Sequence, residues 1–473
     1  MALVDDLRST LGSDRVRSHP LELIVYDKDA GVTRGEVLAA ALPETTQEVA
    51  ACVRIAAAHG VPVVARGAGT GLAGGSVPAE PALLIVLTRL NQIWEVDEVA
   101  RTAWVGAGVL NLDLSRATEH LGLHYAPDPS SQAACTVGGN VATNAGGPHC
   151  LAEGTTVAHI LGVEFVTSDG DVVLLGGKAP DPPGLDLRAV VVGSEGTLGV
   201  VTKVLVKLTE NPPAVRTLLL TFDSIQAAAA TVSGVIAAGI VPAALEMMDQ
   251  PMVVAVEGFI KAGLPVEAAA VLLAELVGLE EGAAAEAAVV ERIATAAGAT
   301  SVRVAADESE RAVLWKARKN AFGAVAQAAP DYYLHDTVVP RTKLVEVMTQ
   351  IYEIGERNNI RMLNVFHAGD GNLHPLVAYD RREPGMSEKV RAAAEEMVRI
   401  SVAAGGSLTG EHGVGLEKRD LMGLVFEDVD LDAQARLRDA FDPNGRMNPG
   451  KVLPAGARCF DFDLMAGQDG GSS

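Results

Sequence analysis

Three glycine-dense stretches, each bordered by short runs of Val, Leu and Ile, occupy the N-terminal half and limit what the chain can fold into. They are residues 65–75 (ARGAGTGLAGG), 138–147 (GGNVATNAGG) and 193–201 (GSEGTLGVV). Such segments bring few side chains to a core, so they must turn tightly or lie against something else. Placed between strands, they point to a backbone that approaches a ligand at several places. The first follows the strand-like run 61–65. Consecutive N–H groups with no side chain in the way make a concave anion site, so Arg66, Gly67, Ala68, Gly69, Thr70 and Gly71 fit a pyrophosphate. Gly69-x-Gly71-x-x-Gly74 has dinucleotide-fingerprint spacing, but the fingerprint must open a helix and Gly75-Ser76-Val77-Pro78 does not. A nicotinamide site is therefore rejected and a phosphate cradle kept. Three such clusters suit one long dinucleotide, such as FAD.

Around them the chain alternates helix and strand. Residues 45–59 predict a helix: Thr45 and Glu48 make a capping box, Val49, Val53 and Ala56 share a face, and Gly60 ends it. Strands are expected at 61–65, 83–87, 103–106, 163–167, 172–175, 190–192 and 200–207, and Asn211-Pro212-Pro213 marks a boundary. Beyond it come a strand at 218–222, a small-residue helix, two Ala/Glu-rich helical stretches to about residue 297, and helices at 308–325, 343–357 and 388–403. The run 227–245 has no charge over membrane-spanning length. Its Ala, Gly, Ser, Thr and Pro242 give it a poor transfer energy, so a packed helix and a soluble chain are expected. The acidic N-terminus, MALVDDLRST, shows no signal peptide, and residues 467–473 read as a frayed tail. The fold class is α+β. A length of 473 residues fits two or three domains of about 100–200 residues each; the expected division is 1–213, 214–440 and 441–473.

Lys and Arg number 38 against 60 Asp and Glu, a net charge of −22. Phosphate backbones need a basic footprint, so nucleic acid and anionic lipid are excluded as main partners. Cys52, Cys135, Cys150 and Cys459 form no CxxC pair. Reduced cytoplasmic thiols are expected rather than disulfides, a zinc knuckle or an iron–sulfur cluster.

The sharpest chemistry lies in the last third. In VFHAGDGNLHPLV, residues 365–377, apolar runs flank an Asp-Gly turn, which reads as a hairpin. Folding it back sets His367 and His374 roughly opposite each other, with Cβ atoms about 5 Å apart if they pair directly. Two imidazoles at that separation can share a divalent metal. Asp370 shapes the turn, and Pro375, lacking an N–H, suits an edge strand. TGEHGVG, residues 409–415, offers a third ligand. Glu411 is assigned to the metal and His412, an imidazole that accepts protons near neutral pH, to general-base work. In WKARKNAF, residues 315–322, Arg318 presents a planar fork for a carboxylate, with Lys316 and Lys319 beside it. Singly, each of these is as well read as a hydrogen-bonded histidine or a solvated basic face; the grouping favours chemistry.

RGAGTGLAGG, PDPSSQAACTVGGNVATNAGG, GSEGTLGVVTK, VFHAGDGNLHPLV, GGSLTGEHGVGLEK and FDPNGRMNPGK occur in this order. Together they resemble the FAD-linked catalytic subunits of glycolate oxidase, within the vanillyl-alcohol-oxidase-type flavoproteins that include D-lactate and D-2-hydroxyglutarate dehydrogenases. The resemblance runs from about residue 43 to about residue 459. It implies an FAD-binding domain of two α+β subdomains, an α+β substrate (cap) domain with an antiparallel sheet, and a C-terminal segment returning to the flavin. It implies FAD pyrophosphate on Arg66 to Gly71, with further FAD contacts at Pro127, Ser131, Gly138, Gly139, Asn140, Thr143, Asn144, Gly147, Glu195, Gly199, Val201 and Asn448. It also implies zinc or a similar ion on His367, His374 and Glu411, His412 as base, and Arg318 with Lys319 on the substrate carboxylate.

Two departures refine this. Relatives with covalently attached flavin carry a histidine in the first glycine loop, where this chain has Thr70, so non-covalent FAD is expected. Relatives acting on 2-hydroxyglutarate carry Asn two residues after the second histidine; here Leu376 stands there, which favours glycolate or D-lactate. The expected reaction is oxidation of a 2-hydroxy acid to the 2-oxo acid. Its electrons pass to a separate iron–sulfur protein, quinone or cytochrome, because the chain has no second redox centre. A homodimer and attachment to the membrane periphery through a partner complete the expectations. The alternatives are a stand-alone dehydrogenase for D-lactate or a longer acid, a zinc hydrolase acting on a nucleotide, and a non-catalytic FAD-binding subunit.

Overall fold

A computed structural model describes residues 2–179 and 183–454; Cys459 and the tail at 467–473 lie outside the described residues. The chain forms two units: residues up to Ala145, Thr155–Glu210 and from Glu411 onward make one, Gly146–Gly154 and Asn211–Gly410 the other. The C-terminal return thus begins at Glu411, earlier than the expected 441. Residues just past Glu411 bond within the first unit, where Val414 and Gly415 donate N–H to Glu195 and Leu416 to Ala73.

The first unit holds two main sheets. In one, strands Val37–Ala41 and Val63–Arg66 flank Ala82–Val86, both parallel to it. The other is antiparallel, in the order Ile93–Asp97, Thr102–Gly106, Val200–Lys207, Ile160–Val166, Val172–Gly176. Helix Thr46–Ala58 forms as the sequence predicts. Thr45 Oγ1 accepts the Glu48 N–H at 3.2 Å, although the Glu48 carboxylate turns to the Glu44 N–H rather than closing the box on Thr45. The expected strand at 190–192 is instead the end of helix Leu187–Val191 and the residue after it, because the Asp186 carboxylate accepts the Ala189 N–H and caps a turn there.

The second unit is built on an antiparallel sheet ordered Ala299–Val304, Ala214–Phe222, Ala270–Gly278, Ala244–Asp249, Arg361–His367, Asn372–Tyr379, Asp331–Leu334, with Thr337–Val338 also pairing Asn372–Tyr379. Strands Ala244–Asp249 and Ala270–Gly278 were not expected among the Ala-rich helices. They are buried on both faces, so their near-continuous apolar runs carry no alternation to announce them. The predicted small-residue helix stops at Ala237, and the predicted 308–325 helix breaks at Asn320 into Glu308–Lys319 and Ala321–Val325.

The period-2 alternation then separates two faces. Leu218, Leu220, Leu245, Met247, Leu272, Ala274, Phe366, Leu373 and Val377 pack under helices Ile225–Ala237, Glu280–Ala297, Leu344–Asn358 and Met386–Ala403. The opposite face carries Thr217, Glu275, Glu246, His367 and His374. Pro375 lies in an interior strand rather than at an edge. Its missing donor is tolerated because it falls where one neighbouring strand, Asp331–Leu334, gives way to Thr337–Val338, and its carbonyl still accepts the His335 N–H.

Candidate active site

The first glycine loop leaves the carboxyl end of strand Val63–Arg66, where parallel sheets open a crevice for ligands. No helix follows it. Gly69 and Gly74 have φ of 74° and 76°, a region that favours glycine. Among the described residues, no backbone carbonyl accepts from the N–H groups of Gly67, Ala68, Gly69, Thr70 or Gly71. A row of backbone donors therefore stands beside the buried Arg66. Asp29 shapes the loop from below: its carboxylate accepts the N–H of Gly31 at 2.8 Å and of Gly74 at 2.9 Å.

The second stretch is helical rather than a turn between strands. Thr136 Oγ1 accepts the Gly139 N–H at 3.2 Å and caps helix Val137–Thr143, which contains Gly138, Gly139, Asn140 and Thr143. Gly138 has no room for a Cβ because Ala107 lies against it. Asn111 Nδ2 donates to Asn140 Oδ1 at 3.0 Å and to the Pro127 carbonyl at 2.8 Å, and Asn144 Oδ1 accepts the Val157 N–H at 2.8 Å. The Ser131 carbonyl closes the preceding turn on Ala134 and Cys135. These side chains frame the stretch; Gly147 falls in the 146–154 segment of the second unit.

Glu195, in the third stretch, is buried with φ 53°. Its carboxylate accepts the N–H groups of Val414 at 2.7 Å and Gly415 at 2.8 Å, which fixes the turn that follows His412. Asn448 Nδ2 donates to the carbonyls of Glu195 and Gly75, at 2.6 and 2.8 Å, and ties the first stretch to the third. Gly199 lies against Phe165, and Val201 belongs to strand Val200–Lys207. His412 and Glu411 are half-buried, with Nε2 of one 4.0 Å from Oε1 of the other.

Burial pushes the Glu195 carboxyl up to about 7, against the lowering pull of Val414, Gly415, Lys451 and Lys418. Burial likewise draws Lys451 down to about 8. A carboxyl raised above its unfolded value contributes stability that is complete below about 4.5 and is lost as pH rises through about 7. Replacing Glu195 by Gln should remove that loss. The unfolding free energy of Glu195→Gln relative to wild type is therefore expected to move in the variant's favour by about 2–3 kcal/mol between pH 5 and 8. Urea titrations at both pH values measure it, and a pH-independent difference would contradict the assignment.

In the second unit, His367 lies opposite Asn372 and His374 opposite Val365. The two histidines are thus diagonal neighbours on one face rather than directly opposed, because Ala368, Gly369, Asp370 and Gly371 all belong to the turn. Their rings still stand 5.1 Å apart at 89°. Both are held through Nδ1. His367 Nδ1 lies 2.8 and 2.9 Å from the two oxygens of Glu246, and His374 Nδ1 lies 3.3 Å from the His335 carbonyl. A carboxylate and a carbonyl only accept, so Nδ1 is the donor in each ring. Buried Asp336, 3.9 Å from His374 Nδ1, accepts the Thr409 hydroxyl at 2.6 Å and the Gly410 N–H at 3.0 Å. Gly410 also lies against Asn372, the residue opposite His367. Glu411 is the next residue of the chain.

Helix Glu308–Lys319 lies over the same face. Arg311 donates through Nε and Nη2 to Glu275, each at 2.9 Å, and Trp315 Nε1 donates to it at 2.5 Å. One turn on, Arg318 is 1% exposed; its Nη2 meets Glu246 at 2.5 Å while Nε and Nη1 have no hydrogen-bond partner among the described residues. Lys316 is exposed, and Lys319 Nζ sits over the Trp315 ring at 5.9 Å. Burial would raise Glu246 and Glu275, but Arg318 with His367, and His149 with Arg311, hold both carboxyls below their ordinary range. Glu246, Glu275 and Asp336 lie in largely apolar runs where a carboxylate shows no partner, and Asp29 sits among other charges in YDKDAG. The available signals are Glu246 and Glu275, which interrupt the apolar runs ALEMMD and AVLLAELVG.

The family described as FAD linked oxidases, C-terminal domain, matches residues 211–452, and an FAD binding domain matches 37–176. The chain is 45% identical to glycolate oxidase subunit GlcD of Escherichia coli (strain K12), over 94% of this chain and 89% of that protein. It is 33% identical to a D-lactate dehydrogenase of Anaerostipes hadrus, over 91% of each. Among solved structures, p-cresol methylhydroxylase superposes with a TM-score of 0.81 at 17% identity, covering 95% of this chain and 96% of that one. 4-Ethylphenol oxidase from Gulosibacter chungangensis gives 0.80 at 20%, covering 96% and 98%. These two likenesses establish the vanillyl-alcohol-oxidase-type fold. With a glycine cradle suited to a pyrophosphate and matches spanning nearly its whole length, the chain belongs to the FAD-linked oxidase family and is an FAD-dependent oxidoreductase.

Proposed function

We propose that this oxidoreductase converts a small 2-hydroxy acid, glycolate or D-lactate, to the 2-oxo acid. The observation that carries the proposal is Arg318, a buried cation with two donor nitrogens that have no partner among the described residues, beside a pair of imidazoles. Unmet buried donors are costly, and a substrate carboxylate would satisfy one of them beside the guanidinium charge. The names of the relatives, glycolate oxidase subunit and D-lactate dehydrogenase, agree with it. Membership in an FAD-linked family removes the zinc-hydrolase alternative.

The residues fit both implied groups. The N–H row from Gly67 to Gly71 suits the FAD pyrophosphate, and Thr70 offers no ring nitrogen for a covalent link. Bound FAD would supply the acceptor for the Cα hydrogen. His367, His374 and Glu411 each offer one ligand atom, two nitrogens and an oxygen, a set suited to zinc. A bound metal would supply a Lewis acid that lowers the pKa of the substrate hydroxyl. Arg318, with Lys319 as a second cation, orients the carboxylate, and the His412 imidazole takes the hydroxyl proton. Leu376, buried between Leu363 and Leu334 on its neighbouring strands, provides no anchor for a second carboxylate, so a short acid is favoured. Electrons leave to a partner: an iron–sulfur subunit, a quinone or a cytochrome. No helix among the described residues is long and apolar enough to cross a membrane. We place the protein in the cytoplasm or at the membrane periphery through such a partner.

Anaerobic addition of glycolate, D-lactate, L-lactate and D-2-hydroxyglutarate in turn, followed in the visible spectrum, tests this. Glycolate or D-lactate is expected to bleach the flavin. Equal bleaching by D-2-hydroxyglutarate would overturn the short-acid assignment, and bleaching by none would overturn the substrate class.

A further inference from the structure

Glu246 is a fully buried carboxylate on strand Ala244–Asp249, opposite His367 in the sheet register. Its two oxygens serve two different side chains. Both lie within 2.9 Å of His367 Nδ1, and Oε2 also meets Arg318 Nη2 at 2.5 Å. Arg318 Nη2 and His367 Nδ1 are themselves only 3.4 Å apart, two donors converging on one acceptor.

We propose that Glu246 is a positioning residue that supports metal and substrate together. By accepting from Nδ1 it orients the His367 ring and leaves Nε2 as the ligand nitrogen; by taking Nη2 it fixes the guanidinium and leaves an edge donor, Nε or Nη1, for the substrate carboxylate. The inference rests on the proposed metal and carboxylate roles and adds that they share this one support. Carboxylates behind metal-bound imidazoles fix the tautomer and raise ligand basicity, and losing one typically costs 10–100-fold in metal affinity.

Glu275 gives the helix that carries Arg318 a support of its own. It pins the helix that carries Arg318 through Arg311 and Trp315, one strand away from Glu246. The backbone position of Arg318 is therefore set independently, and Glu246 sets only where its guanidinium points.

The test uses purified flavoprotein stripped of metal and titrated with Zn²⁺ by calorimetry, comparing wild type, Glu246→Gln and Glu246→Asp, with FAD content and near-ultraviolet circular dichroism recorded. Glu246→Gln is expected to bind Zn²⁺ about 10–100-fold more weakly and to show a raised KM for glycolate or D-lactate, with FAD content unchanged. Glu246→Asp, which keeps the charge but shortens the side chain, is expected to fall between them in both readouts. Unchanged Zn²⁺ affinity and KM in a folded Glu246→Gln would overturn the inference. If Glu246→Gln does not fold, Glu246→Asp decides: weakened affinity with raised KM supports the shared support, and wild-type values overturn it. A wild type that takes up no Zn²⁺ would instead overturn the metal reading itself.

Discussion

The His412→Ala variant is expected to reduce its flavin about 10²–10⁴-fold more slowly than wild type under saturating substrate, the range a positioned general base contributes. FAD content and folding should be unchanged. The turn after His412 is held by backbone donors, Val414 and Gly415 to Glu195 and Leu416 to Ala73, so the imidazole can be removed without releasing it. Anaerobic stopped-flow at the flavin absorbance measures the rate. Retention of full activity would remove His412 from the role of base, and loss of FAD would show that it supports the cofactor instead.

Arg318→Ala should act on both binding and stability. Truncating one member of a buried, hydrogen-bonded charge pair costs roughly 2–5 kcal/mol. Applied to the substrate carboxylate, that is a fall of about 30- to several-thousand-fold in kcat/KM at about 1.4 kcal/mol per decade. The same change strands Glu246 as a buried charge, which is expected to cost a further ~3–5 kcal/mol of folding stability. Arg318→Lys separates the two effects. It restores a charge beside Glu246 but not the planar fork, so it should recover much of the melting temperature and little of the KM. A variant that recovered KM and melting temperature in step would show that Arg318 is structural only.

Local patterns announced much of this molecule. The loop at 67–71, helix Thr46–Ala58 with its Thr45 cap, helix Leu344–Asn358 and the two-histidine hairpin all follow from spacing within a few residues. Errors arose where local pattern and burial diverge. Strands Ala244–Asp249 and Ala270–Gly278 sit in the middle of the second sheet with both faces covered, so alternation vanished and composition suggested helix. Glu246 and Glu275 ride on these two strands, so local pattern does not announce them either. The hairpin follows from its apolar runs and Asp-Gly turn, whereas its register does not. The turn takes four residues, which shifts His374 to face Val365 and makes the histidine pair diagonal.

The amino-acid order alone determined which chemical groups are present and which lie near one another along the chain: glycines for a cradle, two histidines across one turn, a Glu-His pair between glycines. These depend on separations of a few residues, where backbone geometry leaves few choices. Which groups support them was decided by the tertiary structure. Glu246 reaches His367 across 121 positions, and Glu195 reaches Val414 across 219. Such contacts exist only once sheet order and register are set, and those follow from burying whole faces rather than from any short pattern.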